Sequence, residues 1–169
     1  MKAIVNVDLN WGIGCGGKLL QRIPEDMKFF KEMTINKIVV MGRETFESFP
    51  NKSPLKDRVN IVLSKNELFS DERIIICRSL NEVFNNIKKY NTDDVYIIGG
   101  ESIYNQFLPY CTEVYATKIK NTYIADKHFP NLDEKKTWEL VSVSDIKEFN
   151  NIQYNFLKYV NNHFEHYTE

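Results

Sequence analysis

The segment that decides the fold is Val95-Tyr96-Ile97-Ile98-Gly99-Gly100-Glu101-Ser102-Ile103-Tyr104. Its first four residues are apolar, aromatic or β-branched and predict a buried strand. Two glycines follow at once, and residues 101–108 predict a helix. A strand that passes through glycine into a helix is typical of places where α/β sheets hold phosphates. The alternative is that the glycines serve only the geometry of a tight turn.

Similar units recur along the chain. Strands are predicted at residues 3–7, 37–41, 59–63, 73–77, 95–98 and 113–119, and helices at 24–33, 43–48, 80–90 and 101–108. Strands that alternate with helices predict an α/β fold, with a central, mostly parallel, twisted sheet flanked by helices. Residues 138–149 and 152–160 predict an antiparallel C-terminal hairpin turning at Asn150-Asn151, because asparagine tolerates positive φ.

Composition restricts the class of protein. With 169 residues and 43% hydrophobic residues, the chain predicts one domain at 1–160 and a polar tail at 161–169. The net charge of −1 and the scattered basic residues argue against nucleic acid, and no apolar run is long enough to predict a membrane span. Cys15, Cys77 and Cys111 suggest neither a disulfide framework nor a metal site, so a reducing, cytoplasmic setting is expected.

Asp26 is placed where a helix should be apolar. In the predicted helix opened by Pro24, it shares one face with Phe29, Phe30 and Met33 at i, i+3, i+4 and i+7. A buried charge is costly without a partner, and no lysine or arginine shares this face. A bound ligand is therefore a possible partner. The alternative is an ordinary helix-start aspartate that complements the helix dipole.

The glycines of Gly12-Ile13-Gly14-Cys15-Gly16-Gly17 fit G-x-G-x-x-G after a strand. Residues 18–22 then intervene and Pro24 opens the helix late, so the dinucleotide fingerprint, which should enter a helix directly, is rejected. The segment instead predicts a mobile loop over a site, with a plain flexible connection as the alternative.

Basic residues follow three further predicted strands. Arg43 lies in Gly42-Arg43-Glu44-Thr45, Lys65 follows Ser64, and Arg78 precedes Ser79. Because parallel strands end at one edge of a sheet, these cations together suggest a polyanion there. A dinucleotide with an extra ribose phosphate would fit this pattern.

Taken in order, these segments resemble dihydrofolate reductases, and the similarity runs from Ala3 to the final hairpin. The residues that carry it are Gly12-Ile13-Gly14, Ile23-Pro24-Glu25-Asp26-Met27-Lys28-Phe29-Phe30, Met41-Gly42-Arg43-Glu44-Thr45-Phe46-Glu47-Ser48, Val59-Asn60-Ile61-Val62-Leu63-Ser64, Ile97-Ile98-Gly99-Gly100-Glu101-Ser102-Ile103-Tyr104 and Asp126-Lys127-His128-Phe129-Pro130. The resemblance implies the single-domain fold of that family, NADPH as cofactor, dihydrofolate as substrate and a monomer.

The resemblance also implies roles for individual residues. The catalytic positions are Asp26, Tyr104 and Gln21. The substrate-binding positions are Ile4, Asp26, Met27, Phe30, Phe49, Leu55, Arg58, Ile98 and Thr117. The cofactor-binding positions are Asn6, Ile13, Gly14, Gly17, Gly42, Arg43, Glu44, Thr45, Leu63, Ser64, Lys65, Arg78, Gly99, Gly100, Glu101, Ser102, Ile103 and Tyr104, with Gly99 and Gly100 joined by a cis peptide.

Asp26 would grip the 2-amino group and N3 of the pterin, Thr117 would support the acid, and Arg58 would bind the glutamate tail. Asn6 would contribute backbone contacts to the nicotinamide carboxamide. One departure from the family is Leu20-Gln21, where many members have Pro-Trp, and Gln21 could order a water instead.

Two other functions are compatible with the same sequence pattern. A pyrimidine reductase of riboflavin synthesis would share the fold and NADPH but would need phosphate contacts in place of Asp26. A non-catalytic nucleotide-binding module would have no use for an acid on an apolar helix face.

Overall fold

A computed structural model describes residues 1–168 of the chain as an α/β fold built on two sheets. The strands are β1 (Lys2–Val7), β2 (Gly12–Cys15), β3 (Lys18–Leu19), β4 (Ile38–Gly42), β5 (Val59–Leu63), β6 (Ile75–Cys77), β7 (Val95–Gly99), β8 (Glu113–Ile119), β9 (Lys127–His128), β10 (Trp138–Val143), β11 (Lys147–Phe149) and β12 (Ile152–Asn161). The helices are α1 (Pro24–Thr34), α2 (Arg43–Glu47), α3 (Leu80–Ile87) and α4 (Glu101–Phe107), with short 3-10 turns between some elements.

The main sheet has the order β10-β12-β8-β1-β7-β4-β5-β6, with β11 also paired to β12. Strands from β8 to β6 along this order are parallel, whereas β12 is antiparallel to β8, β10 and β11. The prediction of a mostly parallel sheet with a C-terminal antiparallel hairpin is confirmed. Asn150 and Asn151 both have positive φ, 47° and 62°, as a tight hairpin turn requires.

The first strand of that hairpin is shorter than predicted. It is divided into β10 and β11 because Ser144 turns towards β12, where its Oγ accepts a hydrogen bond of 2.9 Å from the Phe156 N–H. Helix α3 likewise ends at Ile87 instead of residue 90.

Apolar side chains alternate between the two faces of the sheet, as the period of a strand dictates. In β1, Ala3, Val5 and Val7 belong to one core cluster, which helices α3 and α4 cover. Ile4 points to the other face, where α1 and α2 contribute Phe29, Phe30, Met33 and Phe46. Helices therefore flank both faces, and the face carrying Ile4 is the one that meets the helix of Asp26.

The glycine segment is a hairpin paired into a small sheet, whereas a loop was predicted; its mobility stays a prediction. Residues 12–19 form the hairpin β2–β3, which pairs with β9 in a small second sheet. Gly16 and Gly17 have φ of 56° and 76° at the turn, which an L side chain rarely adopts. A Cβ added to Gly12 would lie 2.7 Å from the Ala125 Cβ, so this glycine permits close packing.

The C-terminal residues beyond β12 are mostly exposed, but one of them is packed. Tyr167 stacks on Phe84 of α3 with ring centroids 3.8 Å apart. The backbone N–H of Glu165 donates to the carbonyl of Pro109 at 2.9 Å. Among residues 1–168, no helix has the length and apolar character needed to cross a membrane.

Candidate active site

Asp26 lies in the first turn of α1, which begins at Pro24 without a side-chain cap. Its carboxylate is partly buried against the sheet. Phe29, Phe30 and Met33 of the same helix pack into the apolar cluster on this face. The acid therefore does occupy the otherwise apolar side of its helix.

Two strands supply hydrogen bonds to this carboxylate. Thr117 Oγ1 of β8 donates to Asp26 Oδ1 at 2.6 Å, and Asn6 Nδ2 of β1 donates to Oδ2 at 2.8 Å. Asn6 and Thr117 are direct partners in the parallel register of β1 and β8, so both side chains leave the same face of the sheet. The sheet thus presents a matched pair of donors to one carboxylate.

Burial raises the pKa of Asp26 above its ordinary value, because desolvation disfavours the charged form. The hydrogen bonds from Asn6 and Thr117 act in the opposite direction. Among residues 1–168, no lysine, arginine or histidine forms an ion pair with Asp26 within 4.0 Å. The acid is therefore held by neutral donors and retains capacity for a further hydrogen-bonding partner.

Apolar residues surround the acid on its helix side. Most of the substrate-binding positions implied by the resemblance lie in this cluster, namely Ile4, Phe30, Phe49, Leu55 and Ile98. Met27 is 42% exposed, although it is a large apolar residue. An apolar wall beside a single acid can hold a flat ring and grip its polar edge.

The segment that carries Leu55 is fixed by Asn60, a residue that the sequence analysis did not single out. Asn60 is buried in β5. Its side-chain amide accepts from the Leu55 N–H and donates to the Leu55 carbonyl, both at 2.9 Å. This paired contact holds Leu55 against the site.

Arg58 follows the same segment and lies beside the end of α1. Its Nε donates to Thr34 Oγ1 at 3.1 Å, its Nη1 to the Lys56 carbonyl at 2.8 Å, and its Nη2 to the Lys31 carbonyl at 3.4 Å. Partial burial lowers the pKa of Arg58, but an arginine stays charged at any physiological pH. These contacts orient the guanidinium at the far end of the helix from Asp26.

A long cleft of about 1010 Å³ lies at the carboxyl ends of β4, β5, β6 and β7. This is at the upper end of the range of small-molecule sites, about 300–1,000 Å³. All the residues assigned to the cofactor by the resemblance line this cleft, from Asn6 and Ile13 to Tyr104. The cleft therefore collects positions that are distant in sequence.

Residues 98–104, part of the segment that decides the fold, form the floor of the cleft. Gly99 and Gly100 are joined by a cis peptide bond, as the resemblance implied. Gly99 has φ of 117°, and a Cβ added there would lie 3.2 Å from the Tyr104 ring. Tyr104 is buried, and its hydroxyl donates to the Ile4 carbonyl at 2.7 Å. The bare backbone and the tyrosine ring thus meet directly beside β1.

The small sheet is tied to the floor of the cleft. The Glu101 carboxylate accepts a hydrogen bond of 2.8 Å from the His128 N–H in β9. Ile13, Gly14 and Gly17 of the β2–β3 hairpin line the cleft, and so do Lys18 and Lys127, two cations that the sequence analysis missed. In the sequence, Lys18 was marked only by its position beside the glycines, and Lys127 only by its position beside His128.

The three cations expected at the sheet edge differ in the hydrogen bonds that they already make within the protein. Lys65 is exposed. Arg43 Nη1 donates to Glu47 at 2.6 Å within α2. Arg78 donates from both Nη1 and Nη2 to the carbonyls of Ser64, Asn66 and Phe69, at 3.0, 2.6 and 2.8 Å. Arg78 therefore holds the loop after β5 and also lines the cleft, and its contact with the cofactor stays a prediction.

Gln21 lies in the irregular segment between β3 and α1. Among residues 1–168, those that line the cleft do not include it. The role of Gln21 in ordering a water near Asp26 stays a prediction.

Open α/β sheets commonly bind ligands in a crevice at the carboxyl ends of their strands, and dinucleotide-dependent enzymes are one large class with this arrangement. The comparisons with known proteins are specific within this class. A family model described as Dihydrofolate reductase matches residues 1–161. The chain is 35% identical over 162 residues to "Dihydrofolate reductase" of Schistosoma mansoni, covering 88% of this chain and 85% of that protein.

A second relative, "Dihydrofolate reductase" of Bacillus subtilis, is 34% identical over 158 residues, which cover 92% of this chain and 91% of that protein. Among solved structures, "Dihydrofolate reductase from Enterococcus faecalis complexed with NADP(H) and RAB-propyl" superimposes with a TM-score of 0.83 and 34% identity, covering 95% of both chains. The chain belongs to the dihydrofolate reductase family.

Proposed function

We propose that this protein reduces 7,8-dihydrofolate to 5,6,7,8-tetrahydrofolate with NADPH, by hydride addition at pterin C6 and protonation at N5. The observation that supports it most is Asp26, a partly buried acid beside an apolar wall, held by Thr117 and by Asn6, which itself lines the long cleft. The family membership gives independent support. The test is oxidation of NADPH on addition of dihydrofolate, followed by the absorbance of the reduced nicotinamide.

The residues of the chain divide the work of this reaction. Asp26 accepts hydrogen bonds from the 2-amino group and N3 of the pterin, and the apolar wall keeps water from the ring. The residues of the cleft fit NADPH, because Gly99 and Gly100 present bare backbone to it, Lys65 is exposed, and Arg43 keeps further N–H donors besides the one bonded to Glu47. NADPH, when bound, supplies the hydride. N5 receives its proton from water, since Asp26 grips the opposite side of the pterin.

The alternatives are less well supported. A pyrimidine reductase of riboflavin synthesis would require phosphate contacts where the apolar wall and Asp26 lie. Competition between dihydrofolate and the ribosylamino-pyrimidine substrate of that enzyme separates the two functions. A non-catalytic nucleotide-binding module gives no reason for two strands to hold an acid towards the sheet.

We also propose that the protein is a monomer in a reducing, cytoplasmic compartment. Asp26, Asn6, Thr117 and the cleft all come from one chain, so the site needs no partner copy. The cysteines Cys15, Cys77 and Cys111 are free thiols. Sedimentation of the purified protein tests the monomer, and a dimeric mass would contradict it.

We expect the protein to prefer NADPH to NADH by about tenfold or more in kcat/KM, because one charged hydrogen bond to the extra phosphate contributes about 1.5–3 kcal/mol. Lys65→Ala should raise the KM for NADPH and leave that for NADH unchanged, since Lys65 is exposed and NADH lacks the phosphate. Initial rates with both cofactors measure this. Equal efficiency with NADPH and NADH in the unmodified protein would remove the argument from the basic residues.

We also expect the rate of the hydride step to fall as pH rises through the titration of the site, because N5 of the pterin takes up a proton in the reaction. Burial raises the pKa of Asp26, while a bound cationic pterin would lower it. Single-turnover rates across pH, with protein in excess of dihydrofolate, measure the profile. A profile that is the same in Asp26→Asn would show that another group titrates.

A further inference from the structure

Asn6 is a polar residue in strand β1, which is otherwise apolar after Lys2 at its start. Its neighbours Ile4, Val5 and Val7 are buried core residues. Because side chains alternate along a strand, Asn6 points to the same face as Ile4, the face covered by α1. An amide placed on such a face needs a hydrogen-bonding partner. Its partner is the Asp26 carboxylate at 2.8 Å.

The carboxylate is shared in a definite way between its two donors. Each carboxylate oxygen has about two lone-pair positions. Thr117 uses one on Oδ1 and Asn6 uses one on Oδ2, which leaves one on each oxygen. A flat heterocycle that donates two parallel N–H bonds requires just such a pair of free positions.

Asn6 also lines the cleft, together with Val5, Ile13 and Tyr104. The same residue therefore contacts the acid that faces the substrate and borders the space assigned to the cofactor. Thr117, the other donor to Asp26, is in contrast almost fully buried, with 2% of its surface exposed. Asn6 is the donor at the junction of the two halves of the site.

We propose that the Asn6 side chain is a positioning residue for the reduction, which holds the Asp26 carboxylate ionised and oriented, with one free lone pair on each oxygen towards the pterin. The inference rests on the proposed function and deepens it. It concerns the side chain of Asn6, whereas the family resemblance assigned only backbone contacts to this position.

The ionisable groups around Asp26 leave this task to neutral donors. Tyr104 faces it from α4, and burial raises the pKa of this phenol, so it stays neutral. Tyr154 faces it from β12 and donates to Glu25 at 2.6 Å, while Glu25 is itself paired with Lys147 at 2.8 Å. The stabilisation of the charged acid therefore comes from Asn6 and Thr117.

The test uses two substitutions at position 6 in the full chain. Asn6→Ala removes the donor that orients the Asp26 carboxylate, so the carboxylate meets the pterin less well and we expect the KM for dihydrofolate to rise about tenfold. The ionised acid is also stabilised less, so the titration of Asp26 should move to higher pH. Asn6→Asp is nearly isosteric but replaces the donor with an acceptor, and should move the titration further in the same direction.

The matched control is Asn155→Ala. Asn155 is also a buried strand asparagine, and its Nδ2 donates to the Ser144 carbonyl at the same 2.8 Å, away from the site. This variant should lose stability without any change in the KM for dihydrofolate or in the titration of Asp26. A purely structural role for Asn6 would make Asn6→Ala behave like Asn155→Ala, and that result would overturn the inference.

Carboxyl-carbon NMR of Asp26 in the protein alone gives a second measure that does not depend on activity. The resonance is assigned by its loss in Asp26→Asn. An upward shift of its titration in Asn6→Ala and again in Asn6→Asp supports the inference, and an unchanged titration refutes it. A wild-type protein that fails to oxidise NADPH with dihydrofolate would instead refute the proposed function, whatever the NMR titration shows.

Discussion

Asp26→Asn lowers the turnover of dihydrofolate by roughly 100-fold or more, the range found when one preorganised hydrogen-bonding group is removed from an active site. The asparagine keeps the shape of the side chain and an oxygen for Thr117, whose hydroxyl lies 2.6 Å from Asp26 Oδ1. It presents an N–H group where the carboxylate presented a second acceptor. The pterin edge then faces a donor, so one of its two hydrogen bonds is lost.

The free energy of unfolding of Asp26→Asn is expected to rise relative to that of the wild type as pH rises. Burial raises the pKa of Asp26 in the folded protein, so the unfolded chain ionises first as pH rises. The wild type therefore loses stability between the unfolded and the folded pKa of this group, whereas Asp26→Asn has no such loss. Urea unfolding below and above this range should show the variant gaining stability relative to the wild type as pH rises.

A matched control for this substitution is Asp145→Asn, because Asp145 is exposed in the turn between β10 and β11. Turnover in the control should equal that of the wild type. Near-normal turnover in Asp26→Asn, with the fold intact by circular dichroism, would contradict the role given to the acid.

Arg58→Leu raises the KM for dihydrofolate by about 30-fold or more, with a smaller change in kcat. Removing one partner of a hydrogen-bonded charge pair typically costs about 2–5 kcal/mol, and the glutamate tail lies far from the reacting atoms. The guanidinium of Arg58 is already oriented by Thr34 and by the carbonyls of Lys31 and Lys56. A planar fork fixed in this way suits a carboxylate.

Two comparisons separate this role from a general loss of structure. Dihydropteroate lacks the glutamate tail, so its KM should be nearly the same in Arg58→Leu and in the wild type. Arg58→Lys keeps the charge without the fork and should lie between the two for dihydrofolate. An equal effect of Arg58→Leu on both substrates would show that the residue only supports the end of α1.

The sequence was sufficient where the physical cause is local. The apolar strand and the glycines of residues 95–100 predicted β7 and the turn into α4, because strand period and glycine freedom act within a few residues. The position of Asp26 on an apolar helix face followed from helix period alone. Both features are found in the structure.

The features that the sequence did not predict depend on contacts between segments that are distant in the chain. The Asn6–Asp26 hydrogen bond requires the register of β1 against β8, which brings Asn6 beside Thr117. The polar residue inside an apolar strand was a visible sign, but nothing local identified its partner. The contacts of Arg78 could not be predicted for a similar reason, since the carbonyls that hold it belong to the loop after β5.

The glycine hairpin shows a different limit. Its strands are stabilised by pairing with β9, more than 100 residues later in the chain, and by the close approach of Gly12 to Ala125. Glycines required for close packing and for a tight turn look the same in a sequence as glycines required for motion. Only the packed structure distinguishes these uses.

The most direct test of the account follows the hydrogen that is transferred. NADPH carrying deuterium at the transferred position of nicotinamide C4 is mixed with the protein and dihydrofolate, and the product is examined by NMR. We predict one NADPH oxidised for each dihydrofolate consumed, with deuterium at C6 of tetrahydrofolate and a proton from water at N5. No oxidation of NADPH, or deuterium released to solvent, would contradict direct reduction at the site of Asp26.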